Sequence, residues 1–181
     1  MGDRALDART VAITAVMIAV VAAFTMFIRV PIPATGGYVN LSDVAVFFVA
    51  FTFGPAPALV AGGIGAGLAD VLGGFAEFAW LSFLAHGLEG LLAGYVARRA
   101  SGPAATLVAW AVGAAAMLLG YFLGETLVMT GVGAALGEVP FNALQVVVGG
   151  VLGVALTVAV RRAYPPIVQM GQPRTVRFEG P

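Results

Sequence analysis

The chain has 181 residues, of which 60% are hydrophobic and only 10% are charged, and it contains neither lysine nor cysteine. A soluble domain averages roughly 25% charged residues, and so short a chain could not bury this much apolar surface in one aqueous core. The composition therefore excludes a soluble enzyme, a disulfide-rich secreted scaffold and a disordered protein. It indicates an integral membrane protein, whose balanced charge gives no argument for binding nucleic acid.

Six apolar segments follow one another along the chain, and crossing a bilayer takes about 20 such residues. Their approximate bounds are 10–30, 41–53, 55–74, 77–96, 103–129 and 140–162. Pro31 and Pro33 end the first segment, and Pro140 suits the first turn of the sixth, after a glycine-rich linker. The sequence predicts an all-α integral membrane protein with six transmembrane helices in one domain, 1–163. Residues 164–181 are predicted to be a loose cytoplasmic tail.

The arginines test this number of spans. With six spans, all but Arg29 fall on one side of the membrane: Arg4, Arg9, Arg98, Arg99, Arg161, Arg162, Arg174 and Arg177. Positively charged residues favour cytoplasmic loops, so both termini are predicted to be cytoplasmic. The first segment could instead be a signal peptide, but its apolar run is long for one and no clean cleavage site precedes the prolines.

Polar side chains are costly inside a bilayer, so each needs a partner or a function. His86 and Glu89 are three residues apart near the middle of the fourth span. The outer half of the spans carries Asp43, Asp70, Trp80, Tyr121, Glu125, Asn142 and Gln145. This arrangement predicts a pocket that is open to the outside and captures a solute, whereas a channel or proton pump would show a polar path through the membrane.

These side chains also have purely structural explanations. A buried polar pair can order a bundle, an acid can cap a helix, and polar or aromatic side chains often lie in the membrane interface. The alternatives are a cap for Asp43, an interfacial position for Asp70, Glu77, Trp80 and Glu125, interhelical hydrogen bonds for Asn142 and Gln145, and a structural pair for His86 and Glu89.

Small residues mark one face of the first span. Alanines recur there at intervals of three or four, which allows another helix to approach closely: Ala12, Ala15, Ala19 and Ala23. Glycines of the third and sixth spans are expected to pack inside the bundle. The chain has no phosphate-binding loop and no nucleotide-binding domain, so active transport would need a partner that supplies energy.

Several short motifs, taken together, resemble a known family. They are Gly37-Tyr38-Val39-Asn40-Leu41-Ser42-Asp43, Phe53-Gly54-Pro55, Ala61-Gly62-Gly63-Ile64-Gly65, Leu68-Ala69-Asp70, His86-Gly87-Leu88-Glu89-Gly90, and Asn142 and Gln145 before Val148-Gly149-Gly150. Their order and spacing over residues 10–162 are similar to those of the substrate-binding S components of energy-coupling-factor (ECF) vitamin transporters. The riboflavin-transporter-like and hydroxymethylpyrimidine-transporter-like members are the most similar.

The resemblance implies a multi-pass protein of the prokaryotic plasma membrane, with six helices and both termini inside. It implies that residues 31–40 cover a vitamin or vitamin precursor bound near the outer surface. An alanine motif on helix one, best matched by Ala15 and Ala19, would dock on a transmembrane coupling subunit. Two ATPase subunits would consume ATP, and this chain would bind no cofactor. Many relatives carry lysine where His86 stands, so the identity of the substrate does not carry over.

The polar side chains in the outer half of the spans and the family resemblance together predict a binding site for a flavin, pyrimidine or pyridine compound. The acid-rich pocket favours a neutral or cationic ligand with N–H or O–H donors. The candidate contacts are Tyr38, Asn40, Asp43, Trp80, Phe83, His86, Glu89, Tyr121, Glu125, Asn142 and Gln145. No catalytic or metal site is expected. Two alternatives stay open: a solitary facilitator or secondary transporter, and a small intramembrane enzyme that uses His86, Glu89 and Asp70 as acid–base or metal groups.

Overall fold

The computed structural model describes residues 8–170, which form seven α-helices, one π-helical segment and a short β-hairpin. In chain order these are α1 (Ala8–Phe27), β1 (Val30–Pro31), β2 (Tyr38–Val39), α2 (Ser42–Phe53), α3 (Pro55–Gly73), α4 (Ala79–Ala97), α5 (Pro103–Gly124), the π segment (Glu125–Met129), α6 (Val132–Ala163) and α7 (Ile167–Met170). The two strands pair antiparallel, with Val30 opposite Val39 and Pro31 opposite Tyr38. The all-helical architecture that the sequence predicts is confirmed.

Each of the six predicted spans corresponds to one of the helices α1 to α6. By length and hydropathy, four helical stretches could cross a membrane: Ala8–Phe27, Pro55–Gly73, Pro103–Met129 and Val132–Ala163. α2 is apolar but has only 12 residues, about 18 Å of helix against about 30 Å of hydrocarbon. The number of spans and the side on which the termini lie therefore stay predictions.

α2 lies at the centre of the bundle, although it is the shortest of the first six helices. All of its residues except Phe51 are buried, and it packs against α1, α3, α4 and α6. Its apolar side chains, with Phe47 fully buried among them, form the middle of the main hydrophobic core. A helix that is apolar on every side is stable where neighbouring helices cover every side.

Glycines let the helices around α2 approach one another closely. A β-carbon at Gly62 of α3 would lie 2.6 Å from the backbone oxygen of His86 on α4. A β-carbon at Gly153 of α6 would lie 2.9 Å from Cβ of Phe47 on α2. Glycines of the third and sixth spans thus form internal packing contacts, as the sequence predicts.

The start of α6 differs from the prediction. The helix begins at Val132, directly after Gly131, so the expected glycine-rich linker is helical and Pro140 lies inside the helix. An internal proline costs a backbone hydrogen bond and roughly 3 kcal/mol. The first turns nevertheless stay helical because Ala135 and Glu138 are buried against the rest of the bundle. The sequence signal for a proline at a helix start was therefore overridden by packing.

The predicted loose tail also differs from the structure over its first residues. Residues 167–170 form α7, which packs on α2, and the apolar side chain of Ile167 joins the main core. Residues 171–181 of the predicted tail lie outside the described residues. The ordered domain therefore extends past residue 163.

The glycine contacts predict how stability responds to added methyl groups. We expect Gly62→Ala to lower the free energy of unfolding by about 1–3 kcal/mol, because the new methyl group would meet a backbone oxygen that cannot move without shifting α4. Gly133→Ala is the matched control, since a β-carbon there meets no atom within 4 Å. It should be neutral or stabilise by up to about 1 kcal/mol. Thermal unfolding of both variants in detergent measures this, and equal melting temperatures would contradict the packing argument.

Candidate functional site

Buried polar side chains converge beneath the β-hairpin, where the N-terminus of α2 meets α3, α4, α5 and α6. All of these residues are less than a tenth exposed, and they lie within an otherwise apolar bundle. They are Ser42, Asp43, Asp70, Ser82, His86, Glu89, Tyr121, Glu125, Glu138, Asn142 and Gln145. We call this set the polar cluster.

His86 is at the centre of the polar cluster. Its Nδ1 lies 2.8 Å from Oε2 of Glu89 and 3.1 Å from Oδ1 of Asp43, and all three side chains are fully buried. Ionised carboxylates only accept hydrogen bonds, so the proton on the ring belongs on Nδ1. Nε2 faces the hydroxyl groups of Ser42 and Tyr121 at 3.3 and 3.4 Å. The imidazole thus links α2, α4 and α5.

α6 supplies the amide and acid side chains on the opposite side of the cluster. The Gln145 amide donates to Oδ1 of Asp43 over 3.3 Å and accepts the backbone N–H of Asn40 over 2.6 Å. One turn earlier, Asn142 donates to Oε1 of Glu138 over 2.8 Å. These contacts fix the position of α6 relative to α2 and to the residues that follow the hairpin.

Asp43 does not cap α2, which was the alternative explanation from the sequence. The helix has no side-chain cap hydrogen bond, and the Asp43 carboxylate turns inward to His86 instead. Asn40 takes the capping role in part, because its Oδ1 accepts the backbone N–H of Ser42 over 2.7 Å. The acid at the start of α2 is therefore part of the polar cluster.

The β-hairpin closes the outer end of the cluster. Tyr38 donates its hydroxyl to Oδ1 of Asp70 over 2.5 Å, and Thr35 donates to Oε2 of Glu138 over 2.5 Å. The buried side chain of Ile32 anchors the turn between the strands. Burial and the Asp70 carboxylate raise the pKa of Tyr38 well above its ordinary value, so the phenol keeps the proton that it donates.

Arg29 packs against the hairpin from the end of α1. Its guanidinium lies 5.4 Å from the ring centre of Tyr38 and 6.0 Å from that of Phe75, and Nη1 donates to the Gly73 carbonyl oxygen over 3.3 Å. A cation over aromatic faces is attracted by their negative quadrupole. This contact ties the hairpin to the end of α3.

Little empty space remains between the hairpin and the polar cluster. The cavity there has a volume of about 10 Å³, the size of about one water molecule. It is lined by Gly37, Tyr38, Asn40, Asp70, Phe78, Ser82, Tyr121 and Glu138. The structure is therefore a closed form, in which the space beneath the hairpin holds nothing larger than about one water molecule.

The polar cluster offers hydrogen-bond acceptors that none of the described residues uses. Four buried carboxylate oxygens lack a partner among the described residues: Asp43 Oδ2, Asp70 Oδ2, Glu89 Oε1 and Glu125 Oε1. Among the described residues, five carboxyl groups are buried in this region together with one imidazole, that of His86. An unpaired buried acceptor costs about 1–3 kcal/mol, and more when it is charged. A bound group with N–H donors or a positive charge would remove that cost.

Two of the predicted contacts lie away from the polar cluster. Trp80 and Phe83 are 41% and 43% exposed, and they line a shallow apolar depression between α3 and α4. Successive helix residues turn by about 100°, so the inward face of α4 carries Ser82, His86 and Glu89. Trp80 and Phe83 therefore point toward the surface of the bundle. The other predicted contacts lie in the cluster or in the segment that covers it.

Sequence reasoning missed Glu138, Thr35 and Ser82. Glu138 fell within the predicted linker, where an acid gives no signal. If α6 is extended to Val132, Glu138 is four residues before Asn142 and seven before Gln145, which places all three on one face. Ser82 could have been found in the same way, four residues before His86 on α4.

A divalent cation is one further possibility for the central residues. Asp43, His86 and Glu89 each offer a ligand atom, and these atoms lie within 4.8 Å of one another. In the structure Nδ1 of His86 lies within hydrogen-bond distance of both carboxyl groups, so the ring N–H is a partner for them without a metal. The geometry therefore fits a buried hydrogen-bonded triad.

Comparison with known proteins assigns the family. Residues 5–162 match the model of the ECF-type riboflavin transporter S component. The chain is 33% identical over 145 residues to a protein of Pyrococcus woesei described as "uncharacterized protein in gap 3'region", covering 80% of this chain and 97% of the relative. It is also 33% identical over 133 residues to the thiamine precursor transporter HmpT of Lactococcus lactis subsp. cremoris, covering 73% of this chain and 75% of the relative.

The family match is consistent with the apolar helices and with the buried polar cluster of the structure. An enzyme that uses His86, Glu89 and Asp70 does not fit a family of transporter components, so that alternative is wrong. The chain belongs to the S components of ECF-type riboflavin transporters, and it is accordingly a multi-pass transport protein of the plasma membrane.

Proposed function

We propose that this protein is the substrate-capturing subunit of an ECF-type importer, with six membrane spans, cytoplasmic termini and the β-hairpin on the outer side. The positions of two arginines support this orientation. Arg98 donates to the Phe53 carbonyl oxygen over 2.7 Å, and Arg161 donates to that of Phe51 over 2.6 Å. Both therefore lie at the C-terminal end of α2, about 18 Å from the polar cluster at its N-terminal end. Arginine-rich ends favour the cytoplasm.

The ligand that this site suits best is a small nitrogen heterocycle with amino donors, of the aminopyrimidine type. The unpartnered carboxylate oxygens of the polar cluster carry this proposal, since they require donors or positive charge from the ligand. An aminopyrimidine brings an exocyclic amino group and a ring nitrogen that can be protonated. The dione ring of a flavin presents mainly carbonyl acceptors, which would face the same acceptors. The relative HmpT is described as a thiamine precursor transporter, which agrees with this choice.

Ligand entry would proceed through opening of the β-hairpin. The cavity of about 10 Å³ cannot hold a heterocycle, so the hydrogen bonds of Thr35 and Tyr38 must break before a ligand enters. They can form again once the ligand is covered. In this scheme Asn40, Asp43, His86, Glu89, Tyr121, Glu125, Asn142 and Gln145 form the floor and walls of the bound site, and Tyr38 is part of its cover.

The partner surface that we propose is the outward face of α1. Ala12, Ala15, Ala19 and Ala23 are all exposed, so the bundle itself does not use this stripe of small residues. The inward face of α1 packs on α3 instead, where a β-carbon at Gly65 would lie 2.7 Å from Cβ of Val21. A transmembrane coupling subunit would dock on the stripe. Two ATPase subunits would supply the energy, and this chain would bind no cofactor itself.

The ligand chemistry predicts which compounds bind the purified protein. We expect tight binding of a 4-aminopyrimidine such as hydroxymethylpyrimidine, weaker binding of riboflavin, and no turnover. Glu89→Gln should lower the aminopyrimidine affinity by roughly 10-fold to 100-fold, because it replaces an unpartnered carboxyl oxygen of the buried cluster by an amide group. Glu77→Gln is the matched control at an exposed position and should have no effect. Isothermal titration measures both.

The opposite ranking, with riboflavin bound more tightly, would overturn the aminopyrimidine assignment but keep the S-component role. The role itself is tested by uptake into vesicles that contain this protein alone. Concentrative or rapid uptake without partners would favour the alternative of a stand-alone transporter.

The contacts of the β-hairpin predict how fast a ligand leaves. We expect Thr35→Val to speed dissociation roughly threefold to tenfold, because the closed form loses its hydrogen bond to Glu138. Thr14→Val is the control, since that hydroxyl donates within α1 to the Thr10 carbonyl oxygen. Stopped-flow tryptophan fluorescence gives both rates, and equal rates would show that the Thr35 contact does not hold the closed form.

The exposed stripe on α1 predicts the effect of bulky residues. Ala15→Trp combined with Ala19→Trp should abolish co-purification with a coupling subunit and stop uptake, because tryptophan prevents close helix approach. Ligand binding by the isolated subunit should persist, since the stripe faces away from the polar cluster. Leu119→Trp, at an exposed position on α5, should leave the complex intact. Survival of the complex in the double variant would refute the proposed docking face.

A further inference from the structure

A long apolar groove lies on the surface between α5 and α6. Its volume is about 600 Å³. It is lined by Pro103, Thr106, Leu107, Trp110, Gly150, Val151, Val154 and Val158. Several of these side chains are largely exposed, with Leu107 and Val151 more than 60% accessible, so no part of the described chain fills the groove.

Trp110 closes the groove toward the middle of the bundle. Its indole Nε1 donates to the Val146 carbonyl oxygen over 3.0 Å. The ring lies over Gly150, where a β-carbon would be only 2.0 Å from Nε1. From Gly150 to Val158 the groove follows about 12 Å of helix, close to half of the roughly 30 Å hydrocarbon core. It therefore has the depth of a single leaflet.

The other end of the groove opens into a polar recess at the arginine-rich end of the bundle. The recess has a volume of about 190 Å³ and shares Thr106, Val154 and Val158 with the groove. Ser101 and Arg161 line it, and none of the described residues that line the groove or the recess is acidic. The recess therefore gives the groove a positively charged polar end.

Arg161 is held in place at this recess. One of its terminal nitrogens donates to the Phe51 carbonyl oxygen at the end of α2 over 2.6 Å. A guanidinium has further N–H donors in a rigid plane, which match the oxygens of a phosphate group. A basic pocket between membrane helices at this depth is typical of sites for anionic lipid headgroups.

We propose that the groove and the recess together bind one anionic phospholipid of the membrane. An acyl chain lies along Leu107, Val151 and Val154, and the phosphate lies against Arg161. The groove is one leaflet deep, so it suits an acyl chain better than a transmembrane helix of a partner, which would need the full thickness of the bilayer. This site is separate from the polar cluster and does not depend on the proposed ligand.

The test is native mass spectrometry of delipidated protein, titrated with phosphatidylglycerol or phosphatidylcholine in neutral detergent. We expect phosphatidylglycerol to bind about fivefold more tightly than phosphatidylcholine, because one arginine near the membrane surface attracts an anionic headgroup with about that strength. Arg161→Gln should remove this preference. Arg162→Gln is the matched control on the next residue and should keep it, because Arg162 does not line the recess. Equal phosphatidylglycerol affinities of the two variants would overturn the proposal.

The groove itself is tested with a second pair of variants. Val154→Trp should fill it and weaken binding of both lipids, whereas Leu152→Trp on the neighbouring exposed face of α6 should not. Equal lipid binding by these two variants would overturn the acyl-chain position.

Inorganic phosphate alone should not displace phosphatidylglycerol at equal concentration, and full displacement would show an anion site without a lipid. Dimers that vanish only in Val154→Trp would show that a second copy fills the groove. If Val154→Trp fails to fold, the comparison of Arg161→Gln with Arg162→Gln still decides whether the site binds an anionic lipid.

Discussion

The buried triad of Asp43, His86 and Glu89 is the constraint on which the rest of the structure depends. Two carboxylates and an imidazole are removed from water here, at a desolvation cost of several kcal/mol per ion. Their mutual hydrogen bonds, at 2.8 and 3.1 Å, offset that cost only while α2 and α4 keep their present spacing. Gly62 of α3 lets α3 approach α4 closely at His86, because no larger residue fits against the backbone there. The close packing of α3 on α4 therefore serves the geometry of the polar cluster.

The short central helix is what allows buried polar side chains to gather at one end of the bundle. α2 presents Ser42 and Asp43 to the cluster at its first turn, and then only apolar residues and Thr52. A helix of full membrane length that started at the depth of His86 would extend past the other end of the bundle, where neighbouring helices could not cover it on every side. The β-hairpin occupies the space that its missing turns leave, and so it becomes the cover of the site.

Much of this fold follows from the sequence, and the exceptions have physical causes. The six apolar segments and the shared face of His86 and Glu89 follow from hydropathy and helical periodicity. The early start of α6 does not, because Pro140 favours a helix start locally while burial of Glu138 keeps the preceding residues helical. The outward position of Trp80 and Phe83 depends on which face of α4 meets α2, and sequence spacing alone cannot give that. The cover of the site depends on the contacts of Thr35 and Tyr38 with distant helices.

The location of the polar cluster also limits how a captured ligand could reach the cytoplasm. A path straight through the bundle would have to cross Val46, Phe47, Val49 and Ala50, which are essentially fully buried. Opening that core would break the close packing of α2 against its neighbours, and such packing is what holds helices together in a bilayer. Movement of the hairpin alone costs only a few hydrogen bonds and one buried isoleucine. Entry and release through the same end are therefore far less costly than passage through the core. Under the proposed function, delivery then requires the coupling subunit to change which side of the membrane the hairpin end faces, rather than to open a channel through the helices.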